Sequence, residues 1–140
     1  MADRYFVWDP AKLELKLPAL DKEHQVLIQL MNELHESVEK KETKQRQSDR
    51  LNALYKATVA HFSGEEKFMQ SIAYPDFDRH CLVHKNLLER LQKFATEFTS
   101  GKTELGDDFF NFLKVWLASH IAVIDMKYSN HSHSLQKRAS

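Results

Sequence analysis

The segment from His61 to His84 contains two pairs of metal-binding residue types on either side of a short Tyr-Pro break. His61 and Glu65 are four residues apart, and so are His80 and His84. Residues four apart lie on one face of an α-helix, one turn from each other. Imidazole and carboxylate groups arranged in this way can bind a transition-metal cation. The spacing therefore predicts two helical ligand pairs that meet across a tight turn.

Two other segments can bring ligands to the same place. His24 falls on the apolar stripe of an earlier helix, and His120 on that of a later one, with Asp125 five residues further on. A five-residue spacing turns about 140° around a regular α-helix, so Asp125 is the least well aligned of these residues. The predicted interior contains five imidazoles and two carboxylates. Seven ligands are too many for one ion but suit two ions bridged by the carboxylates.

A metal site explains why so many polar groups point inward. Burying each without a partner would cost several kcal/mol on alkane scales, so five ordinary core histidines are a poor explanation. Nitrogen and oxygen donors without thiolate suit iron, manganese, zinc, copper or nickel. A purely structural zinc site is the alternative. No glutamate is followed by histidine three residues later, which excludes the ligand pattern of the ferritin-like carboxylate proteins.

Composition restricts the class of protein. The 140 residues suit one domain, and the 20 basic residues balance the 20 acidic ones, which gives no reason to expect nucleic acid as a partner. A single cysteine, Cys81, cannot form a disulfide framework within one chain. We find no signal peptide and no stretch that approaches the length of a membrane span, so we expect a cytoplasmic protein without membrane insertion.

Four segments have helical periodicity and short connections, which predicts an all-α fold, an up-down-up-down antiparallel four-helix bundle. Their expected bounds are about Pro18 or Asp21 to Lys40, Ser48 to Ser71, Pro75 to Thr99, and Asp107 to Tyr128. Residues 1–17 are expected to form an irregular arm that packs Phe6 and Trp8 against the bundle. Residues 131–140 are polar and are expected to be a frayed tail after a domain of residues 1–130.

The motifs "DKEH", "HFSGE", "HCLVH" and "HIAVID" together resemble the ligand pattern of the hemerythrin family, and specifically of its single-domain bacterial members. The flanking words "YPDFDRH" and "VWLASHIAVIDMKY" are also similar to that family. The resemblance extends from Trp8 to Tyr128, and every ligand position of the pattern is filled.

The resemblance implies a non-haem di-iron centre. His80, His84 and His120 would bind one iron, and His24 and His61 the other, which keeps an open position. The resemblance implies that Glu65 and Asp125 bridge both irons together with an oxo or hydroxo group. Oxygen would bind reversibly at the open iron as a hydroperoxide.

Such a site requires a dry pocket, for which Ile28, Trp116 and Leu117 are the candidate lining residues. We expect an oxygen carrier, store or delivery protein rather than an enzyme, with molecular oxygen as its ligand and an oxygen-consuming enzyme or redox protein as its partner. A monomer is expected because four short-looped helices close their own core. The alternatives are a sensor that acts through a separate partner, since the bundle uses almost the whole chain, and a scavenger of peroxide or nitric oxide.

Four further side chains are not expected to be ligands, and the role of a fifth is open. His35 is read as a surface or core histidine, and His131 and His133 as part of the solvated tail. Cys81 is read as a small buried hydrophobic residue. Tyr128 lies one turn beyond Asp125, where its hydroxyl either bonds near the site or reaches the surface.

Overall fold

The computed structural model describes the backbone of residues 5–139 and the side chains of residues 5–136. Residues 1–4 of the predicted arm and Ser140 of the predicted tail lie outside the described part. The helices are α1 (Pro10–Leu13), α2 (Pro18–Glu39), α3 (Lys44–Ser71), α4 (Phe77–Thr99), α5 (Asp107–Ser119), a π-helical segment (His120–Asp125) and α6 (Met126–Ala139). The last three segments form one continuous helix, called the last helix below. The predicted all-α four-helix bundle is confirmed, and its members are α2, α3, α4 and this last helix.

Local chemistry sets the helix ends. Thr43 accepts a hydrogen bond from the Arg46 amide, so α3 begins at Lys44, one turn before the predicted start. Pro18 occupies the first turn of α2, where its missing N–H costs nothing. Gly101 adopts a φ of +81° just after α4, a conformation that favours glycine at a helix end.

Short connections place successive helices side by side. Helix α2 packs against α3, and α3 against α4. Aromatic rings join the last helix to this layer, because Phe94 of α4 lies edge-on to Phe109 of α5 with centroids 5.2 Å apart. The candidate ligands of all four bundle helices therefore face a common interior.

The N-terminal arm is more ordered than predicted. It contains the single helical turn α1, which packs against the π-helical segment. Phe6 is buried, as expected, and its backbone exchanges two hydrogen bonds with the Asn32 side chain. Asp21 accepts hydrogen bonds from the Leu15 and Leu17 amides at 2.8 and 3.1 Å. These bonds join the arm to the start of α2.

The predicted frayed tail is not observed in the described residues. Helix α6 continues to Ala139, so the expected domain end at residue 130 falls inside a helix. Ser129 is buried and donates a hydrogen bond to the Leu15 carbonyl at 2.5 Å. His131 and His133 each place Nε2 3.2 Å from a backbone carbonyl, of Ile72 and Leu15 respectively. Because these polar side chains have partners on the bundle, α6 packs rather than frays.

The last helix also corrects the expectation that no stretch approaches a membrane span. Among the described residues, Asp107–Gln136 is long and apolar enough to cross a membrane by length and composition alone. Core helices of bundles pass the same test. Its buried side chains include His120, Asp125 and Ser129, which contact other parts of the bundle. We therefore assign this helix to the bundle core.

Candidate metal centre

All seven predicted ligands meet in the bundle interior. Their donor atoms form two groups, in each of which the atoms lie within 4.8 Å of one another. The first group is Glu65, His80, His84, His120 and Asp125, and the second is His24, His61, Glu65 and Asp125. Both carboxylates belong to both groups. Each of the seven side chains is at most 4% exposed.

The π-helical segment removes the weakest step of the sequence argument. In a π-helix the hydrogen bonds join residue i to residue i+5, so residues five apart lie about one turn apart. His120 and Asp125 are the first and last residues of this segment, and His120 Nε2 lies 3.0 Å from Asp125 Oδ1. The wider turn therefore places both side chains on the inner face.

The buried donor atoms fit two cations. Each histidine Nε2 lies 3.0 to 3.7 Å from an oxygen of Glu65 or Asp125. Nevertheless, all five Nε2 atoms, Glu65 Oε1 and both Asp125 oxygens have no hydrogen-bond partner within residues 5–136. Buried polar atoms without partners are rare, and eight that converge on one space require an explanation. Metal coordination by these lone pairs accounts for all of them.

The buried carboxylates and His24 stabilise each other's charged forms. Burial lowers the pKa of His24, but the neighbouring Asp125 and Glu65 carboxylates outweigh burial and raise it to about 9. Burial and Glu65 act to raise the pKa of Asp125, but His120 and His24 overcome both and lower it to about 2. The pKa of Glu65 is also lowered, because three histidines outweigh its burial. A bound cation would displace the proton that His24 holds at neutral pH.

Tyr128 contacts the site. Its side chain is fully buried, and its hydroxyl donates a hydrogen bond to Glu65 Oε2 at 2.5 Å. Burial and the charges of Asp125 and Glu65 raise the pKa of this phenol, so it keeps its proton. The Tyr128 hydroxyl therefore bonds near the site and does not reach the surface, which were the two positions that the sequence left open. Tyr128 therefore holds the Glu65 oxygen that the histidines approach least.

Replacing Tyr128 with phenylalanine should destabilise the fold. The change leaves a buried carboxylate oxygen without its donor, at a cost of about 1–3 kcal/mol. Chemical denaturation of the metal-loaded protein measures this. Tyr74→Phe, a neighbouring ring 6.4 Å from that of Tyr128, is the control. Equal free energies of unfolding for the Tyr128→Phe variant and the unmodified protein would show that this hydrogen bond does not stabilise the fold.

The predicted pocket residues are all buried. Ile28 is 6% exposed, Trp116 7% and Leu117 4%. Phe62 was not among the predicted residues, yet its ring stacks on His84 with centroids 3.8 Å apart and meets Trp116 edge-on at 5.9 Å. Phe62 immediately follows the candidate ligand His61 on α3, and this adjacency was the feature of the sequence that could have predicted its place beside the site. Trp116 thus reaches the histidines through Phe62.

The remaining histidines and Cys81 lie outside both donor groups. His35 stacks on Tyr5 with centroids 4.3 Å apart. Cys81 is half-buried, and burial together with the Glu66 carboxylate raises the pKa of its thiol to about 12. The thiol is therefore protonated and a poor nucleophile at neutral pH.

Fold and site together define a four-helix-bundle protein with a histidine-rich centre that suits two cations. Residues 15–130 match the sequence profile of the family described as "Hemerythrin HHE cation binding domain", and the chain belongs to the hemerythrin family. It is 28% identical to a bacteriohemerythrin of Methylococcus capsulatus, over 86% of this chain and 92% of the relative. It is 31% identical to a hemerythrin of Sipunculus nudus, over 89% and 92% respectively.

Solved structures agree with this assignment. The crystal structure of wild-type hemerythrin superposes with a TM-score of 0.83 at 27% identity, covering 90% of this chain and 96% of that one. The fold of the chain is therefore that of hemerythrin.

Proposed function

We propose that this chain is a non-haem di-iron protein that binds oxygen reversibly and serves to carry, store or deliver it. The observation that carries the proposal is the pair of donor groups that share Glu65 and Asp125. Membership of the hemerythrin family supports iron as the metal. Two irons held in this way would supply the two-electron redox chemistry that reversible oxygen binding requires.

The ligand assignment divides the residues unequally. We assign His80, His84 and His120 to one iron, His24 and His61 to the other, and Glu65 and Asp125 to both. The two-histidine group offers four protein donors and the three-histidine group five. An iron held by the two-histidine group would have the smaller number of protein ligands, and this difference supports that iron as the one with room for oxygen.

The apolar residues around the site exclude water. Trp116, Leu117 and Phe62 are each at most 7% exposed and lie on α5 and α3 beside the ligands. A dry site hinders the entry of protons and anions, which would otherwise leave the irons ferric. We assign the pocket lining to Ile28, Trp116 and Leu117, with Phe62 added.

An anaerobic optical titration tests the proposal. The protein is assayed for iron, reduced, exposed to oxygen and then stripped of oxygen. We expect two irons per chain and a charge-transfer band that appears with oxygen and disappears when oxygen is removed. Irreversible conversion to a ferric spectrum would contradict the carrier function and favour a redox sensor or an oxidising enzyme. Zinc in place of iron would leave only a structural role.

The scavenging alternative requires a proton donor at the site. Within residues 5–136, Tyr128 is the one buried hydroxyl that contacts a candidate ligand, and its proton is already engaged in the hydrogen bond to Glu65. This favours a binding protein over a peroxidase or nitric oxide scavenger. We further propose that the protein acts in the cytoplasm as a monomer, with an oxygen-consuming enzyme or redox protein as its partner.

Replacing Leu117 with alanine should speed autoxidation. Leu117 is 4% exposed and lies one turn before His120, so the smaller side chain opens space for water beside the irons. The decay of the oxygenated spectrum measures the rate. Val115→Ala, on the same helix but 65% exposed, is the control and should leave the rate unchanged. Equal rates in both variants would remove Leu117 from the pocket.

A further inference from the structure

Two glutamates outside the donor groups contact the far side of the imidazoles. Glu23 Oε1 lies 2.8 Å from His61 Nδ1, and Glu66 Oε2 lies 3.3 Å from His84 Nδ1. In the described part of the chain, the Nδ1 atoms of His24, His80 and His120 are buried without a hydrogen-bond partner. One histidine of each donor group therefore has a carboxylate partner.

Both glutamates follow the same structural rule. Glu23 precedes the candidate ligand His24 on α2 and reaches across to α3. Glu66 follows Glu65 on α3 and reaches across to α4. Adjacent residues are about 100° apart around a helix, so a neighbour of an inward ligand points toward the flanking helix. Each glutamate thus supports a ligand of the next helix.

The Glu23 carboxylate is partly exposed to solvent where it contacts His61. Its side chain is 45% exposed, so its charge costs little to maintain. Gly64 lies beside it, and a Cβ at that position would be 3.6 Å from Glu23 Oε1. A methyl group at this distance would make only an ordinary van der Waals contact, so position 64 leaves the Glu23 carboxylate uncrowded.

We propose that Glu23 and Glu66 are positioning residues, one for each ion of the centre. A carboxylate at Nδ1 keeps the proton on that nitrogen, so that the Nε2 lone pair faces the ion, and makes the imidazole a stronger donor. Glu23 acts on the ion of His24 and His61, and Glu66 on the ion of His80, His84 and His120. The inference rests on the proposed di-iron function.

The two effects are unequal. The contact to His61 is 0.5 Å shorter than that to His84, from 2.8 and 3.3 Å. Glu66 also interacts with a second group, because its carboxylate raises the pKa of the Cys81 thiol. Glu23 therefore has the larger effect, and it acts on the iron that we assign to oxygen uptake.

The test uses the full chain loaded with ⁵⁷Fe and two measurements that do not depend on oxygen. Mössbauer spectra resolve the environments of the two irons, and a competing chelator measures how fast iron is lost. We expect Glu23→Ala to change the signal of one iron and Glu66→Ala that of the other. Removing such a partner usually weakens metal affinity about 10- to 100-fold, so we expect iron loss to be faster by about that factor in Glu23→Ala and less accelerated in Glu66→Ala.

Two further variants separate positioning from a general structural effect. Glu23→Gln keeps an acceptor oxygen for His61 Nδ1 and should restore iron retention relative to Glu23→Ala. Glu33→Ala is the matched control, because Glu33 is also on α2, is 40% exposed and pairs with Arg50 of α3. It should leave both irons unchanged.

Spectra and loss rates of Glu23→Ala and Glu66→Ala that equal those of Glu33→Ala, in a protein with two irons, would overturn this inference alone. A change of the same iron in both variants would also overturn it. An unmodified protein that does not bind two irons would overturn the proposed function and this inference together.

Discussion

Replacing His61 or His84 with alanine should leave the purified protein with fewer than two iron ions per chain. Each side chain is at most 3% exposed and belongs to a different donor group. His61→Ala leaves the smaller group with three donors, and His84→Ala leaves the larger group with four. Because alanine supplies no donor and leaves a gap that water can enter, the remaining ligands hold the ion less tightly. Iron analysis against protein concentration measures the loss.

His35→Ala is the control for a lost imidazole. His35 is 24% exposed, lies on α2 and belongs to neither donor group. This variant should retain two irons. If His61→Ala and His84→Ala also retained two irons each, the ligand assignment would be wrong, even though the residues lie together.

Deleting Val123 should preserve the metal centre, whereas deleting Ala118 should abolish it. Val123 is 58% exposed and lies inside the π-helical segment, between His120 and Asp125. Its deletion shortens their spacing from five residues to four, which a regular α-helix places on one face. The wide turn then becomes an ordinary one, and both ligands keep their positions.

The deletion of Ala118 shortens the same helix by one residue, but before His120. If the wide turn converts to an α-helical turn to compensate for the deleted residue, His120 moves to the position of the preceding residue. That position lies about 100° around the helix. His120 would then leave the donor group. Iron content and the charge-transfer spectrum compare the two variants. Loss of iron in both would show that the π-helical segment is needed for more than the alignment of His120 with Asp125.

Two kinds of regularity made the fold and the ligands predictable from the sequence. The apolar period of about 3.6 residues and the short connections require antiparallel helices, because each apolar stripe must be buried against another. The same period assigns His61 with Glu65 and His80 with His84 to common faces, which then point into that interior. Burial of all seven candidate ligands agrees with this reasoning. Their assignment to particular irons stays a prediction.

Residue spacing along one helix contains no information about contacts between helices. Only the tertiary structure determined which side chains meet across the bundle. Asp125 joins the site because the backbone widens into a π-helical turn, which a period count for α-helices cannot anticipate. Helix α6 continues past residue 130 because Ser129 and His133 both contact the Leu15 carbonyl of the arm through polar side-chain atoms. This carbonyl lies more than a hundred residues earlier in the chain. The contacts of Glu23 with His61 and of Tyr128 with Glu65 likewise join residues distant in sequence, because they depend on how the helices are rotated against each other.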